Sequence, residues 1–281
     1  MFRKNSYLLI CLILLSGVAA GLVLLSTAPA SAATQRLVLT GSSTVAPLVS
    51  EIARRFESLY PGVRIDVQAG GSSRGINDVR KGVADIGMVS RALKPDEDDL
   101  RAFTIALDGI SLIVHASNPV VSLSKQQVVS IFTGNVMRWS AVGGPDTRIT
   151  VVNKAEGRST LELFLDYFQL KNSMIKPHII IGDNAQGIKT VAGNRNAIGY
   201  VSIGAAEYET RRGMPVRLLA LDGAAASISN IQNGNFPLLR PLNLVISHEP
   251  QDLARQFLTF AQSPQVRDLV KAQYFVPVDA H

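Results

Sequence analysis

Three apolar runs in this chain stop at glycine and small hydroxyl residues and then open into a helical pattern. They are Leu37-Val38-Leu39-Thr40-Gly41-Ser42-Ser43-Thr44, Ile65-Asp66-Val67-Gln68-Ala69-Gly70-Gly71-Ser72-Ser73-Arg74-Gly75 and Val151-Val152-Asn153-Lys154-Ala155-Glu156-Gly157-Arg158-Ser159-Thr160. A strand that turns through Gly and Ser into a helix leaves unpaired backbone N–H groups and hydroxyl donors at the positive end of the helix dipole. Such an end attracts anions. One instance is an ordinary Ser/Thr helix cap. Three that converge on one small anion would make an oxyanion cage.

The N-terminus reads as an export signal. Arg3 and Lys4 precede an apolar run from Tyr7 to Leu25, broken only by Ser16, and Ala30-Ser31-Ala32 has the form of a cleavage site. The run is also long enough to serve as a retained membrane anchor. Cleavage near Ala32 is the expectation, with the product in the periplasm. Cys11 lies near the start of the run without a lipobox, which argues against a lipid anchor. It is the sole cysteine and leaves with the signal, so the mature chain has no disulfide or thiol chemistry. Removing 32 of 281 residues leaves 249, enough for one large or two small α/β domains. Loss of Arg3 and Lys4 lowers the formal charge from +6 to +4. That balance suits anionic partners, but no Lys/Arg block with interleaved aromatics points to nucleic acid.

Strand and helix signals alternate along the mature chain, the pattern of an α/β fold. Val45, Leu48, Val49, Ile52, Phe56 and Leu59 follow helical spacing and stop at Tyr60-Pro61-Gly62. Val63–Val67, Ala84–Val89, Ile110–Val114, Ile179–Ile181, Ala197–Val201, Val216–Leu219 and Leu242–Ile246 read as strands. Short helices are predicted at Ile76–Lys81, after Ser124 (capping-box spacing to Gln127) and over Pro250–Ala261. A further helix follows the third turn, where Ser159 and Glu162 also have capping-box spacing.

The motifs occur in a fixed order: Gly41-Ser42-Ser43-Thr44-Val45-Ala46-Pro47, Gly71-Ser72-Ser73-Arg74-Gly75-Ile76, Asp85-Ile86-Gly87-Met88-Val89-Ser90-Arg91, Phe132-Thr133-Gly134-Asn135, Trp139-Ser140-Ala141-Val142-Gly143-Gly144, Glu156-Gly157-Arg158-Ser159-Thr160 and Ala197-Ile198-Gly199-Tyr200-Val201. The set resembles the periplasmic phosphate-binding proteins of ABC importers, the PstS-like family, over nearly the whole mature chain. The resemblance implies a two-lobed type II solute-binding protein with two crossover strands and a ligand cleft between the lobes. It places the signal at 1–32, lobe I at 33–114 plus 242–281 and lobe II at 115–241, with crossovers at Ile110–Val114 and Phe236–Leu242. The function it implies is capture of inorganic phosphate for an ABC permease in the inner membrane, by a monomer without cofactor, metal or catalysis.

Carried over residue by residue, the resemblance implies ligand contacts from Ser43, Thr44 and the Val45 amide, from Ser72 with Ser73 beside it, and from Ser159 and Thr160. Ser90 and Arg91 complete the first-lobe set. Two departures stand out. Lys154 occupies the position of the family's clamping Arg, and Arg158 replaces the first Ser after Gly157, so Arg158 is a candidate clamp or else a solvated arginine at a helix start. A guanidinium binds in a planar fork where an ammonium is a point charge, so the exchange is not neutral. Arg91 stands where the family has an Asp that accepts the proton of hydrogen phosphate and repels sulfate. Asp108, Asp85 and Glu156 are the possible substitutes. Alternatives are therefore another oxyanion (arsenate, sulfate or molybdate) or a periplasmic oxyanion sensor.

Gly71-Ser72-Ser73-Arg74-Gly75 also satisfies the G-x-S-x-G pattern of a hydrolase elbow, with Asp222 and His248 following in triad order. The two sister turns have no role in that reading. Gly182–Thr190 resembles a P-loop, but Ile188 displaces Lys189 from its required place. His115, His178, His248 and His281 are scattered and give no metal spacing.

Overall fold

A computed structural model of the chain describes residues 35–278, so the expected export signal and cleavage motif lie outside the described residues. From its start the described chain runs through β1 (Gln35–Gly41), α1 (Ala46–Leu59), β2 (Val63–Ala69), α2 (Ser72–Arg80), β3 (Ile86–Val89) and β4 (Arg101–His115). There follow β5 (Ser122–Leu123), α3 (Lys125–Phe132), β6 (Thr150–Lys154), α4 (Ser159–Phe168), β7 (Ile179–Ile181), α5 (Asn184–Ala192), β8 (Ala197–Ser202) and α6 (Ile203–Arg211). The last elements are β9 (Val216–Leu218), β10 (Ala220–Leu221), α7 (Ile228–Gln232), β11 (Leu239–Ile246), α8 (Asp252–Ala261), α9 (Arg267–Ala272) and β12 (Val276–Pro277).

The main sheet has the order β2-β1-β3-β11-β4-β8-β6-β7, with β9 and β12 also pairing β4. Two parallel sets, β2-β1-β3 and β8-β6-β7, flank the antiparallel pair β4 and β11. In such sheets ligands bind outside the carboxyl ends of the parallel strands. All three Gly/Ser turns lie at such ends, after β1, β2 and β6.

Strand β4 is much longer than the Ile110–Val114 segment expected. Its first half pairs with β11 over Arg101–Gly109, and its second half with β8 over Ile110–Val114. The apolar side chains divide at the same place. Ile105 and Ala106 belong to one core with Leu39, Ile52, Phe56, Leu244 and Phe257, whereas Ile110, Leu112 and Val114 join another with Phe132, Trp139, Phe164 and Tyr200. Strand β11 changes sides likewise: Leu238, just before it, lies in the second core and Leu242 in the first. Asp108 and Arg240 face each other in register at this changeover.

Local chemistry explains the elements. Ser124 accepts from the Gln127 N–H while the Gln127 side chain accepts from the Ser124 N–H, the reciprocal cap that the spacing predicts for α3. The same spacing misleads at α4. Its N-cap is Arg158, Ser159 is the first helical residue, and the Glu162 carboxylate reaches Arg91, Lys94 and Ser73 rather than back to its own turn. Helix α2 starts at Ser72, four residues before the apolar spacing begins, because Gly71 takes a positive φ and turns the chain directly into it.

Candidate functional site

Each turn supplies a different part of the site. In the first, Gly41 has φ +133°, and a Cβ there would lie 2.3 Å from the Met88 carbonyl, so only glycine lets β1 and β3 end side by side. The Ser42 hydroxyl accepts from the Thr44 and Val45 N–H groups and donates to Ser90 Oγ at 2.9 Å. Ser42 thus ties off the turn and takes up the Val45 N–H, one of the expected ligand contacts. Thr44 is buried, and its Oγ1 accepts from Asn184 Nδ2 at 3.0 Å and from Arg240 Nη2 at 3.3 Å. Ser43 is half-buried and lines a groove of about 600 Å³ beside Thr44 and Asn184.

The second turn buries Ser72, whose Oγ accepts from the Ser90 N–H at 3.2 Å. Ser73 does something else: its N–H donates to Gly157 O and its hydroxyl to Glu162 Oε1, both at 3.4 Å, so it binds the third turn. Gly71, at φ +101°, permits that approach, since a Cβ there would stand 2.6 Å from Gly157 O. In the third turn Ser159 and Thr160 are buried at the start of α4. Thr160 Oγ1 accepts from Arg240 Nη1 at 3.0 Å, while Ser159 Oγ is buried without a hydrogen-bond partner.

The charges are arranged differently from the expectation. Arg240 is fully buried and spans the turns, with Nη1 on Thr160 and Ser90 and Nη2 on Thr44. Its Nε and Nη2 both donate to Asp108 Oδ2, at 3.1 and 2.8 Å, and the Gly204 N–H donates to Asp108 Oδ1. Lys154 is only 3% exposed, and its ammonium donates to the neutral Asn184 Oδ1 at 3.0 Å. Burial, with help from the nearby Arg240 charge, pushes its pKa down to about 7. Arg240 thus shares this buried space with Asp108 and with Lys154, on which the Asp183 carboxylate and the Arg158 guanidinium also act.

Arg91 requires a correction. It is buried, but both Nη atoms donate to the Glu97 carboxylate at 2.7 Å and its Nε donates to Glu162 Oε2 at 3.0 Å. Burial works against its charge, yet these partners leave its pKa raised and that of Glu97 lowered. With the Lys94 ammonium 2.8 Å from Glu162, the four groups form a balanced ion cluster beside the hydroxyl site. Arg91 therefore does not join the converging donors. Arg158, the candidate clamp in place of the Arg position that Lys154 holds, is half-buried, packs near Gly71 and Gly182, and its charge acts on Lys154. The second cation is Arg240, to which none of the turn motifs points. Of the candidate proton acceptors, Asp85 accepts from the Val38 N–H, Glu156 accepts from Asn172, and Asp108 is taken by Arg240 and Gly204.

The structure thus brings together Thr44, Ser72, Ser90, Ser159 and Thr160, and adds Ser42, Lys154, Asn184 and Arg240. The hydrolase constellation does not assemble. Ser73 meets Glu162, Asp222 accepts from the Lys125 N–H, and His248 pairs with its neighbour Ser247. A second hollow, of about 620 Å³ around Asp85, His248 and Asp252, includes none of the converging residues.

Known proteins agree with this architecture. A family model described as a PBP superfamily domain matches residues 27–265. A Clostridium perfringens structure, described as a phosphate ABC transporter substrate-binding protein with bound phosphate, is 31% identical, with a TM-score of 0.81 over 87% of this chain and 100% of its own. An ABC-type phosphate transport receptor from Vibrio cholerae is 28% identical, with a TM-score of 0.72 over 86% of this chain and all of its own. The phosphate-binding protein PstS of Bacillus subtilis is 29% identical over 86% of this chain and 80% of its own length. The chain belongs to the PBP superfamily, among its PstS-like members.

Proposed function

We propose that this protein is an exported, periplasmic solute-binding protein that captures inorganic phosphate and presents it to an ABC permease. The observation that carries the reading is Lys154, a buried amine whose hydrogen-bond partner is a neutral amide and on which the Arg240 charge acts, together with a buried Ser159 hydroxyl that has no partner. A buried amine keeps its proton near neutral pH only beside an opposite charge, and a phosphate oxygen among these donors supplies that charge. The N-termini of α1, α2 and α4 add their dipoles to the same point. Charge-assisted hydrogen bonds are roughly twice as strong as neutral ones, so a micromolar site, worth about −8 kcal/mol, is within reach of this donor set. Nothing in the reading requires catalysis.

We take the lobes as residues 35–109 with 239–275, and 110–238, hinged where β4 and β11 change cores. On this division Asn184–Thr44, Arg240–Thr160, Ser73–Gly157 and Glu162–Arg91 all bridge the lobes, the contacts of a closed form. Ligand stabilises that form, and closure reports occupancy to the permease. Calorimetric titration of ligand-stripped mature protein with phosphate tests the reading. Binding that Lys154→Met and Arg240→Met each weaken by more than about tenfold, 1.4 kcal/mol, supports it. No binding by a protein shown to be folded sinks it.

A further inference from the structure

The guanidinium of Arg158 is half-buried, and among the described residues no hydrogen bond or ion pair reaches it. The other cations near the turns are answered: Arg240 by Asp108, Arg91 by Glu97 and Glu162, and Lys154 by the Asn184 amide. The carboxylates of the surrounding turns serve other groups. Glu156 receives Asn172, Glu162 receives Arg91 and Lys94, and Asp183 caps α5 through the Gln186 N–H. The Arg158 side chain runs between two glycines. A Cβ on Gly71 would stand 3.1 Å from its Cδ and 3.4 Å from its Nε, and a Cβ on Gly182 would stand 3.5 Å from its Nη2. It thus stretches from the second turn to the segment after β7, which carries Asn184 and through it Lys154. On the proposed division these two glycines belong to opposite lobes.

Burial ranks the groups around it. Lys154 and Arg240 are 3% and 1% exposed, and Thr44, Ser72, Ser90, Ser159 and Thr160 are each exposed by 5% or less. Arg158 is next to these groups and still meets solvent. Its charge acts on Lys154, it is the N-cap of α4, and the residue after it is Ser159, whose buried hydroxyl has no partner. Resting on the phosphate reading, we propose that Arg158 is the entry and exit contact of the anion. It meets phosphate arriving from solvent, passes it inward to Lys154 and Arg240, and lies across the two lobes while the ligand is held. Charge and shape contribute separately. The positive charge draws a dianion through solvent, which speeds association and is screened by salt. The planar fork offers two parallel hydrogen bonds where an ammonium is a point charge, and these slow escape.

The test is stopped-flow mixing of the mature protein with inorganic phosphate. The described chain has no cysteine, so one introduced at Ser50, on the wall of the groove that Ser43 lines, can carry a fluorophore. Arg158→Gln should slow association about threefold or more at low salt, with the difference closing at high salt. It should also speed release by about tenfold. Arg158→Lys should keep the parent's association rate and release phosphate nearly as fast as the Gln variant. Arg158 has no partner to lose in the ligand-free fold, so both variants should melt with the parent. Rates that stay within about twofold of the parent's in both variants overturn this proposal alone and leave the phosphate reading standing. Equal slowing of association by Lys and Gln, or slowing that salt does not change, also overturns it. A folded parent that binds no phosphate overturns the proposal and the phosphate reading together.

Discussion

Arg240 and Asp108 are fully buried and joined by two hydrogen bonds, so removing either leaves a charge inside the protein. Removing one partner of a buried pair costs about 3–5 kcal/mol. At about 2–4 °C per kcal/mol for a domain of this size, Arg240→Met should lower the Tm by roughly 6–20 °C. Asp108→Asn is the informative counterpart. It leaves the Arg240 charge unpaired instead, next to Thr44, Ser90 and Thr160, where an anion can answer it. Without ligand both variants should melt early. Phosphate at a hundred times its dissociation constant adds about 2.7 kcal/mol to whatever binds it. That rescue should appear for Asp108→Asn and be absent for Arg240→Met at the same phosphate concentration. The double variant Asp108→Asn/Arg240→Met should recover most of the lost stability, because replacing a buried pair by neutral groups is often close to neutral. The assay is thermal unfolding followed by circular dichroism, with and without phosphate. If the two single variants respond alike to phosphate, or Arg240→Met loses less than about 1 kcal/mol, the pair is not the anchor described here.

Three further outcomes follow from the same geometry. Lys154 holds its proton up to about 10.5 in the unfolded chain but only to about 7 in the ligand-free fold, so ligand-free stability should rise with pH between these values, and phosphate should flatten the slope in a pH series of Tm. Phosphate binding near pH 8 should accordingly take up protons, and identical heats in buffers of different ionisation enthalpy would refute this. Gly71→Ala should fold but bind phosphate at least tenfold more weakly by calorimetry, because its Cβ would meet Gly157 O at 2.6 Å and hold the turns apart. Glu162→Gln removes the carboxylate shared by Arg91 and Lys94, a partly exposed contact worth about 1 kcal/mol, and should speed phosphate release several-fold in stopped flow; an unchanged rate would exclude Glu162 as a latch.

The layers are legible in the sequence because local signals and tertiary demands agree. Val45 to Leu59 keeps helical spacing, and α1 forms there with its apolar face on the first core. The capping box at Ser124 works because nothing else competes for Gln127. The same spacing at Ser159 fails because Glu162 has stronger partners across the site, two cations instead of a backbone N–H. The length of β4 is hidden because Phe103 to Leu107 has no turn signal and Asp108-Gly109 looks like one. Antiparallel pairing to β11 carries the strand straight through that dipeptide.

The functional cations are harder to read, for a physical reason. Motif correspondence directs attention to the turns, where Arg91 and Arg158 occupy altered positions, yet Arg91 spends its guanidinium on Glu97 and Glu162. Arg240 stands alone in Phe236–Ile246, a segment otherwise apolar except for Asn243, and Asp108 is the one charge in Phe103–Val114. A strand buried on both faces rarely tolerates a lone charge, so two such strands with opposite lone charges can be matched as partners from the sequence alone. That pairing also makes sense of the exchange at position 91. On the proposed reading Arg240 supplies a buried positive charge to the ligand from the hinge, and Asp108 balances it. A carboxylate at position 91 would bring a third acidic group toward Glu97 and Glu162, whereas Arg91 binds both. On the proposed division Arg91 thus joins the two lobes through Glu162, and the ligand-facing charge comes from the strands that connect them.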